Sequence, residues 1–576
     1  MGLFNGALQI GRSALLSYQG ALQVVGSNIN SAGSADYTRL TPLLDPLSGN
    51  VLGDGLQPGA GVALTGIQRN IDEALENRVR IAVGDSASAS AVQASLAQIE
   101  VLFDNVNGTD VGSVLSAFLN GFDDLQNTPE DVAIRGLTVT NGIRLAESLA
   151  SLRDRLAGLG SDIDDQIGDL IVRADELAAQ IADLNERIST AEAGRPGEDT
   201  GLRDQRDAAL RELSGLLEVT VREQPNGSIN VYVGSETLVQ GNFSRGLTAV
   251  TAQDGAFTRT SVAFADTGSQ VPAGGGRIAG LVTSRDVQAF GRIATVDELA
   301  AAVIVAVNRI HADGQGLVGF TSVTGSYGVG TTDAPLNDPA VGLPSLPENG
   351  SFFITVADDA TGTPVAYQID VDLDGVGAET SLASLVADVN ATVSGVTASI
   401  TADNRLALTA DDGFTFTFGH DGQVPRRDTS HVLASLGINT FFTGRDARDM
   451  AVNDVLIQAP ALIAASSVFL SGDGGNAIRI AELSTEANAS LGGVSLIGFY
   501  NAVAGDVAVA GADALSTMTA AAAVESSLLA QRESISGVSL DEEAISLLKF
   551  ERAYQGAARY ISVVDDLITQ LIALIR

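Results

Sequence analysis

Apolar residues recur at alternating steps of four and three at both ends of the chain. The first series is Phe4, Leu8, Gly11, Leu15, Tyr18, Leu22, Val25 and Ile29. The second is Leu547, Phe550, Tyr554, Ala557, Ile561, Val564, Ile568, Leu571 and Ile575. Such steps give the heptad period, so each series predicts an amphipathic helix with one apolar seam. Gly11 and Ala557 leave room for a partner backbone to approach. Ser539 with Glu542 three residues on predicts a capping box at the start of the C-terminal helix, where Asp541 and Glu543 suit the helix dipole. An isolated helix of this length is marginal in water, and each buried Leu, Ile or Phe stabilises by about 1.5–3 kcal/mol. The seams are therefore expected to bury against each other, against copies of the chain, or both, with the tails loosely ordered until they join a larger structure. An ordinary helical pair closing a monomeric core is the alternative.

Between the ends the period changes twice. Residues 42–66, rich in Pro, Gly and Leu, read as a loop or short hairpin, and residues 68–218 read as helical almost throughout. Val92, Leu96, Ile99 and Phe103 make one apolar stripe, and Ile163, Ile167, Leu170, Leu177, Ile181, Leu184 and Ile188 make another. The latter is predicted to end at Gly194–Gly197, and a helix start is predicted near Pro129. From Val219 the period is two: Val221, a turn at Asn226-Gly227, then Ile229, Val231 and Val233 predict a hairpin. A helix is predicted over 294–312, a mostly β module with one helix over 317–450, and an alanine-rich helix over 494–534. The fold class is multidomain α + β. Residues 1–40 with 538–576 form a terminal coiled-coil domain; 41–218 with 294–316 and 451–537 a long-helix bundle. Residues 219–293 form a β domain, and 317–450 an inserted β-rich outer module.

Composition narrows the chemistry. At 576 residues the chain exceeds what one core organises. It has no cysteine, so disulfides, thiol nucleophiles and thiolate metal sites are excluded. A net charge of −37 argues against nucleic acid and anionic membrane as partners. Lys549, the only lysine, is followed by Phe550, which excludes a P-loop. The N-terminus lacks the basic leader and continuous apolar run of a secretory signal, Gly6 rules out myristoylation, and no stretch is expected to span a bilayer.

Catalytic motifs are not found either. There is no Gly-x-Ser-x-Gly elbow and no His-Glu-x-x-His, and Gly274-Gly275-Gly276 lacks the strand–glycine–helix setting of a nucleotide loop. His311 reads as a helix-terminal hydrogen bonder; His420 and His431 lack partners at metal spacing. Val365, Tyr367, Ile369, Val371 and Leu373 alternate, putting Asp370, Asp372 and Asp374 on the opposite face. Those aspartates with Gly375 mimic the start of a calcium loop, but Ser381 stands where its bidentate acid belongs. No catalytic, cofactor or metal residue is assigned, and the chain is expected not to be an enzyme.

Specific motifs carry a resemblance. Ser13-Ala14-Leu15-Leu16, Gln19, Ala21-Leu22, Val24, Asn28-Ile29-Asn30 and Tyr37-Thr38-Arg39 resemble the N-terminal signature of bacterial flagellar axial proteins: rod, hook and hook-associated proteins. Tyr-Thr-Arg favours the hook-associated protein 1 family, although Asp36 replaces its usual glycine and Leu40 its glutamine. Leu202-Arg203-Asp204-Gln205-Arg206-Asp207, with Leu210 and Glu212-Leu213-Ser214, is similar to that family's internal motif. On their own, Asp204, Arg206 and Asp207 read as a salt-bridged helix start in a bundle. Asn308, His311, Gly314 and Gly316, and Gly537–Glu543 with Phe550 and Tyr554, are similar to it as well. The resemblance covers both ends and the internal helices, but not 317–440.

It implies a structural subunit of the flagellum at the junction between hook and filament, exported unfolded and without a cleaved signal to an extracellular position. The implied partners are copies of the chain in a ring or helical assembly, hook protein, a second junction protein, flagellin and an export chaperone. The assembly interface would comprise Phe4, Leu8, Leu15, Tyr18, Leu22, Val25, Ile29, Leu547, Phe550, Tyr554, Ile561, Val564, Ile568, Leu571 and Ile575. Alternatives are another axial protein of hook or rod type, or a secreted adhesin or carbohydrate-active protein with a coiled-coil stalk.

Overall fold

The structure, a computed structural model, describes residues 2–34, 36–48, 59–103, 110–193, 199–255, 257–421, 423–468, 470 and 472–575; for residues 2–5, 574 and 575 it describes backbone alone. Helix α1 (Gly2–Asn30) leads into a hairpin of β1 (Leu40–Ser48) and β2 (Gly59–Arg69). Four helices follow: α2 (Glu73–Phe103), α3 (Val111–Asn127), α4 (Val132–Ala191) and α5 (Thr200–Leu216). Then come strands β3 (Thr220–Glu223), β4 (Ile229–Val233), β5 (Glu236–Gln240), β6 (Phe243–Ser244), β7 (Leu247–Asp254) and β8 (Phe257–Phe264). Helix α6 (Gly276–Thr283) passes through a π-helical stretch, Ser284–Phe290, into α7 (Gly291–Ala312). The inserted module holds β9 (Ser322–Thr324), β10 (Gly350–Asp358), β11 (Pro364–Val371), α8 (Leu382–Thr392), β12 (Val396–Ile400), β13 (Leu406–Ala410), β14 (Phe414–Phe418) and α9 (Val432–Leu436). Last come β15 (Phe442–Thr443), β16 (Ala451–Val452), α10 (Asp454–Gln458), α11 (Gly475–Glu482), α12 (Leu496–Ser536) and α13 (Leu540–Ile575).

Local chemistry sets the ends of several elements. Asp110 caps α3 by accepting from the Gly112 and Ser113 amides, and Asp199 caps α5 by accepting from Leu202. Ser381, read in sequence as a missing calcium ligand, caps α8 in a reciprocal box with Ser384. The start of α4 lies three residues beyond Pro129, where Asp131 accepts from the Ala133 amide at 2.7 Å. The region 42–66, read as a loop or short hairpin, is a long antiparallel ribbon running from Leu40 opposite Arg69 to Ser48 opposite Gly59. The predicted helix end at Gly194–Gly197 lies outside the described residues. The turn at Asn226-Gly227 is present, with Gly227 at φ +81°.

The chain divides into two units: residues 1–95, 161–285 and 512–576, and residues 96–160 and 286–511. In the first, α1 lies on the β1–β2 ribbon, where the Ser17 hydroxyl donates to Val62 O (2.9 Å) and accepts from the Leu64 amide (3.1 Å). The antiparallel sheet β3-β4-β5-β6 is tied to α4 by Asn185, whose side chain bonds both the amide and the carbonyl of Ile229. The triple glycine is structural: Gly276 has φ +74°, and a Cβ there would collide with the Leu216 carbonyl.

In the second unit, Phe118, Phe122, Phe441 and Phe442 pack as one ring cluster with centroids 4.8–5.6 Å apart. The inserted module has a core of its own, built on the sheets β11-β10-β14 and β12-β13-β9 with Leu382, Leu385 and Val389 of α8. The predicted alternation holds from Ile369 onward, at the end of β11 and just past it: Ile369, Val371 and Leu373 are buried and Asp370, Asp372 and Asp374 exposed, whereas Val365 is exposed and Tyr367 half-buried. Among the described residues no group of three or more His or acidic side chains is placed to hold a metal.

His311 explains itself once its neighbours are seen. It is fully buried; its Nε2 accepts from the Ala464 amide (3.0 Å), so the proton sits on Nδ1, which donates to Asn439 O (2.8 Å). Burial pushes its pKa down to about 4. Asn308 and Asn439 complete the join: Asn308 bonds the Phe441 and Phe442 amides and Phe442 O, and Asn439 donates to the carbonyls of His311, Ala312 and Gly314.

Candidate assembly interface

The two terminal helices run antiparallel, since Asn28 meets Glu543 while Gly11, seventeen residues earlier, meets Ile561 eighteen residues later. Gly11 is buried, and a Cβ on it would strike the Ile561 side chain, so the glycine is what lets the helices touch. Of the seam, Val25 and Val564 are buried, as is Ala557. Leu8, Leu15, Tyr18, Leu22, Ile29, Phe550, Ile561 and Ile568 are half-buried. Leu547, Tyr554 and Leu571 remain exposed, and the side chains of Phe4 and Ile575 lie outside the described residues.

The far end of the pair is locked by the Tyr37-Thr38-Arg39 motif. Asn28, 1% exposed, donates to Glu543 (3.0 Å) and Leu40 O (2.9 Å), and its Oδ1 accepts from the Leu40 amide (3.0 Å) and the Tyr37 hydroxyl (2.9 Å). Arg39 donates from Nε to Glu543 (2.8 Å), from Nη1 to Glu542 (2.6 Å), and from its amide to Ser536 O (2.8 Å). Glu542, expected to return a capping bond to Ser539, is thus spent on Arg39. Burial pushes the Tyr37 hydroxyl up. The Thr38 amide donates to Asp204 (3.3 Å), and Arg69 pairs with Asp204 (2.7 Å) and Asp207 (2.5 Å). Asp204 is pushed up by burial, with the Arg69 charge opposing. The two motifs therefore meet: Asp204 and Asp207 are ion-paired as read, whereas Arg206, grouped with them in that reading, makes no ion pair among the described residues and donates to Gly227 O and Asn185 instead.

Sequence reasoning missed a second apolar face on α13. Ile545, Leu548, Val563 and Leu567 are 68%, 57%, 56% and 49% exposed. With Gly556 they follow at steps of three, eight, seven and four, sums of helical three- and four-residue repeats, so they share one face. That face lies roughly opposite the seam that packs on α1. The signal was in the sequence, masked by the stronger heptads. Such a helix is apolar on two sides while α1 covers one.

A family model described as "Flagellar hook-associated protein FlgK helical domain" matches residues 96–325, and one described as "Flagellar basal body rod FlgEFG protein C-terminal" matches 530–574. Flagellar hook-associated protein 1 of Escherichia coli (strain K12) is 28% identical, spanning 99% of this chain and 99% of that protein. Its counterpart in Bacillus subtilis (strain 168) is 24% identical over 98% of this chain and 97% of its own. The chain is thus similar along nearly its whole length to flagellar hook-associated protein 1. A solved flagellar hook junction protein, FlgK from Burkholderia pseudomallei, shares the multidomain α + β fold, with a TM-score of 0.51 at 16% identity over 80% of this chain and all of that one.

One expectation is corrected. By length and composition the helical stretch Leu496–Ala573 is long and apolar enough to cross a membrane. Its apolar character owes much to small side chains such as Ala520–Ala523, each offering a bilayer little area.

Proposed function

We propose that this chain is a structural subunit at the junction between hook and filament, and that α1 and α13 are its polymerising element. The observation that carries this reading is the exposed second face of α13: α1 occupies one side, and Ile545, Leu548, Val563 and Leu567 need another partner. Burying them against neighbouring copies, at about 25 cal/mol per Å² of apolar surface, favours assembly. Of the seam from Leu8 to Ile29 and from Leu547 to Leu571, the exposed Leu547, Tyr554 and Leu571 and the half-buried positions have surface left to add to that interface, while Val25 and Val564 are spent between α1 and α13 of one chain. The division into terminal, bundle, β and inserted domains belongs to the same reading, with the inserted module facing outward.

Copies of the chain are the first partners; hook protein, the second junction protein, flagellin and an export chaperone follow from the family. The net charge of −37 makes nucleic acid an unsuitable partner. The chain is taken to act outside the cell, exported without a cleaved signal, and to catalyse nothing. Removing the last 30 or so residues tests this: hooks without filaments are expected, and normal filaments would overturn it.

A further inference from the structure

The first unit holds guanidinium groups that its own carboxylates do not satisfy. Arg206 is 2% exposed; its Nη1 donates to Gly227 O (2.7 Å) and Asn185 Oδ1 (3.4 Å), while its Nε–H has no acceptor among the described residues. Arg69 Nε–H likewise has none. Arg80 donates to Asn77 and makes no ion pair among the described residues. All three line one cavity of about 100 Å³, together with Arg203.

The surrounding carboxylates are mostly spent. Asp207 pairs with Arg69 (2.5 Å), Glu223 with Arg203 (2.8 Å), and Glu76 Oε1 with Arg532 (2.7 Å), while Glu76 Oε2 accepts no hydrogen bond among the described residues and has only Arg211 Nη1 at 3.8 Å. Glu73, which also lines the cavity, is exposed in the first turn of α2. Burial pushes both Arg80 and Arg206 below the usual guanidinium range, with Asp207 the largest opposing charge. A desolvated cation with an unused N–H is costly, and such groups in native proteins call for an acceptor: a water, an ion or a ligand group.

We propose that this cavity binds one small oxyanion, a phosphate- or carboxylate-type group held by Arg80 and Arg206. The planar guanidinium fork matches both shapes. The volume suits a few water-sized groups at about 30 Å³ each and excludes a nucleotide or a folded peptide. The anion comes either from solution or from a carboxylate side chain on a neighbouring chain.

Calorimetric titration of the purified full chain with inorganic phosphate, and separately with acetate, at fixed ionic strength tests the site. Saturable binding of at least one is expected in the unaltered chain and in Arg173→Gln, an exposed control. Arg80→Gln should weaken it about tenfold, the loss of one charge-assisted hydrogen bond. If Arg80→Gln does not fold by circular dichroism, Arg80→Lys, which keeps the charge and loses the fork, reads the same loss. Phosphate that inhibits polymerisation identifies a neighbour's carboxylate as the natural occupant; phosphate that binds without inhibiting identifies a free ion. No saturable binding of either anion, or binding undiminished in the Arg80 variant, overturns the proposal.

Discussion

Asn28 donates a hydrogen bond of 3.0 Å to Glu543, joining residues 515 positions apart. Because Arg39 donates to the same carboxylate at 2.8 Å, Glu543 serves two elements from a site that is 1% exposed. Glu543→Ala leaves Arg39 Nε and one hydrogen of Asn28 Nδ2 without an acceptor, although Glu542 and Leu40 O still hold the other donors, and is expected to cost about 2–3 kcal/mol in the first unit. Chemical denaturation measures the loss, and hydrogen exchange should show it spreading into α1 and the first turns of α13.

Gly11 and Gly6 sit five residues apart on α1 and should behave oppositely. A side chain on Gly11 meets Ile561 and Tyr560, whereas nothing lies within 4 Å of Gly6. Gly11→Leu is expected to separate the helices at a cost of about 1–3 kcal/mol, and Gly6→Ala to be neutral or slightly stabilising. Thermal melts compare the two.

Val563→Asp and Leu567→Asp place charges on the exposed face of α13. Since both side chains are in solvent, the isolated chain should keep its stability to within about 0.5 kcal/mol, yet incorporation into flagella should fail. Gly556→Ala adds helix propensity of about 0.5–1 kcal/mol and puts a methyl on that same face. Hence a better-folded chain that polymerises less well is the expected outcome. Circular dichroism of the free chain and filament counts in complemented cells read the two effects separately.

Asp428 and His311 pull stability in opposite directions with pH. Burial pushes Asp428 up to about 6, so the folded state prefers the neutral acid. Its contribution is full below its unfolded pKa near 4 and is lost as pH rises through about 6. His311 is held down to about 4, so its contribution is present above about 6.5 and is lost as pH falls toward 4. Asp428→Asn removes the first dependence and leaves the second. The stability of the native chain minus that of Asp428→Asn should therefore fall between pH 4 and pH 6, followed by urea titration at each pH.

What could be read from the sequence was what repeats or turns locally. The heptads, the Asn226-Gly227 turn and the alternation around Asp372 all depend on spacings of a few residues. The length of the β1–β2 ribbon, read as a loop or short hairpin, escaped because Pro42 and Pro46 demote a strand. In a two-stranded ribbon, however, each strand has a free edge, so proline's missing N–H costs no ladder bond. The partners of Arg39 and Arg69 were out of reach for another reason. Arg39 pairs with a carboxylate 504 residues away and Arg69 with one 135 away, and charge patterning along a helix says nothing at such separations. The polar lock at Asn28 was visible only as motif residues with no assigned task.

The bonds from Asn308, His311 and Asn439 fasten together the two places where the chain leaves the helical frame and comes back. Gln315 and Ser466 add a reciprocal backbone pair (2.9 and 3.2 Å) just beyond. The module strung between them carries its own apolar core. Such a clasp makes the stretch from 317 to 438 an exchangeable payload: a foreign fold with closely spaced termini, spliced in there, would ride on the same frame and be displayed by every copy that polymerises.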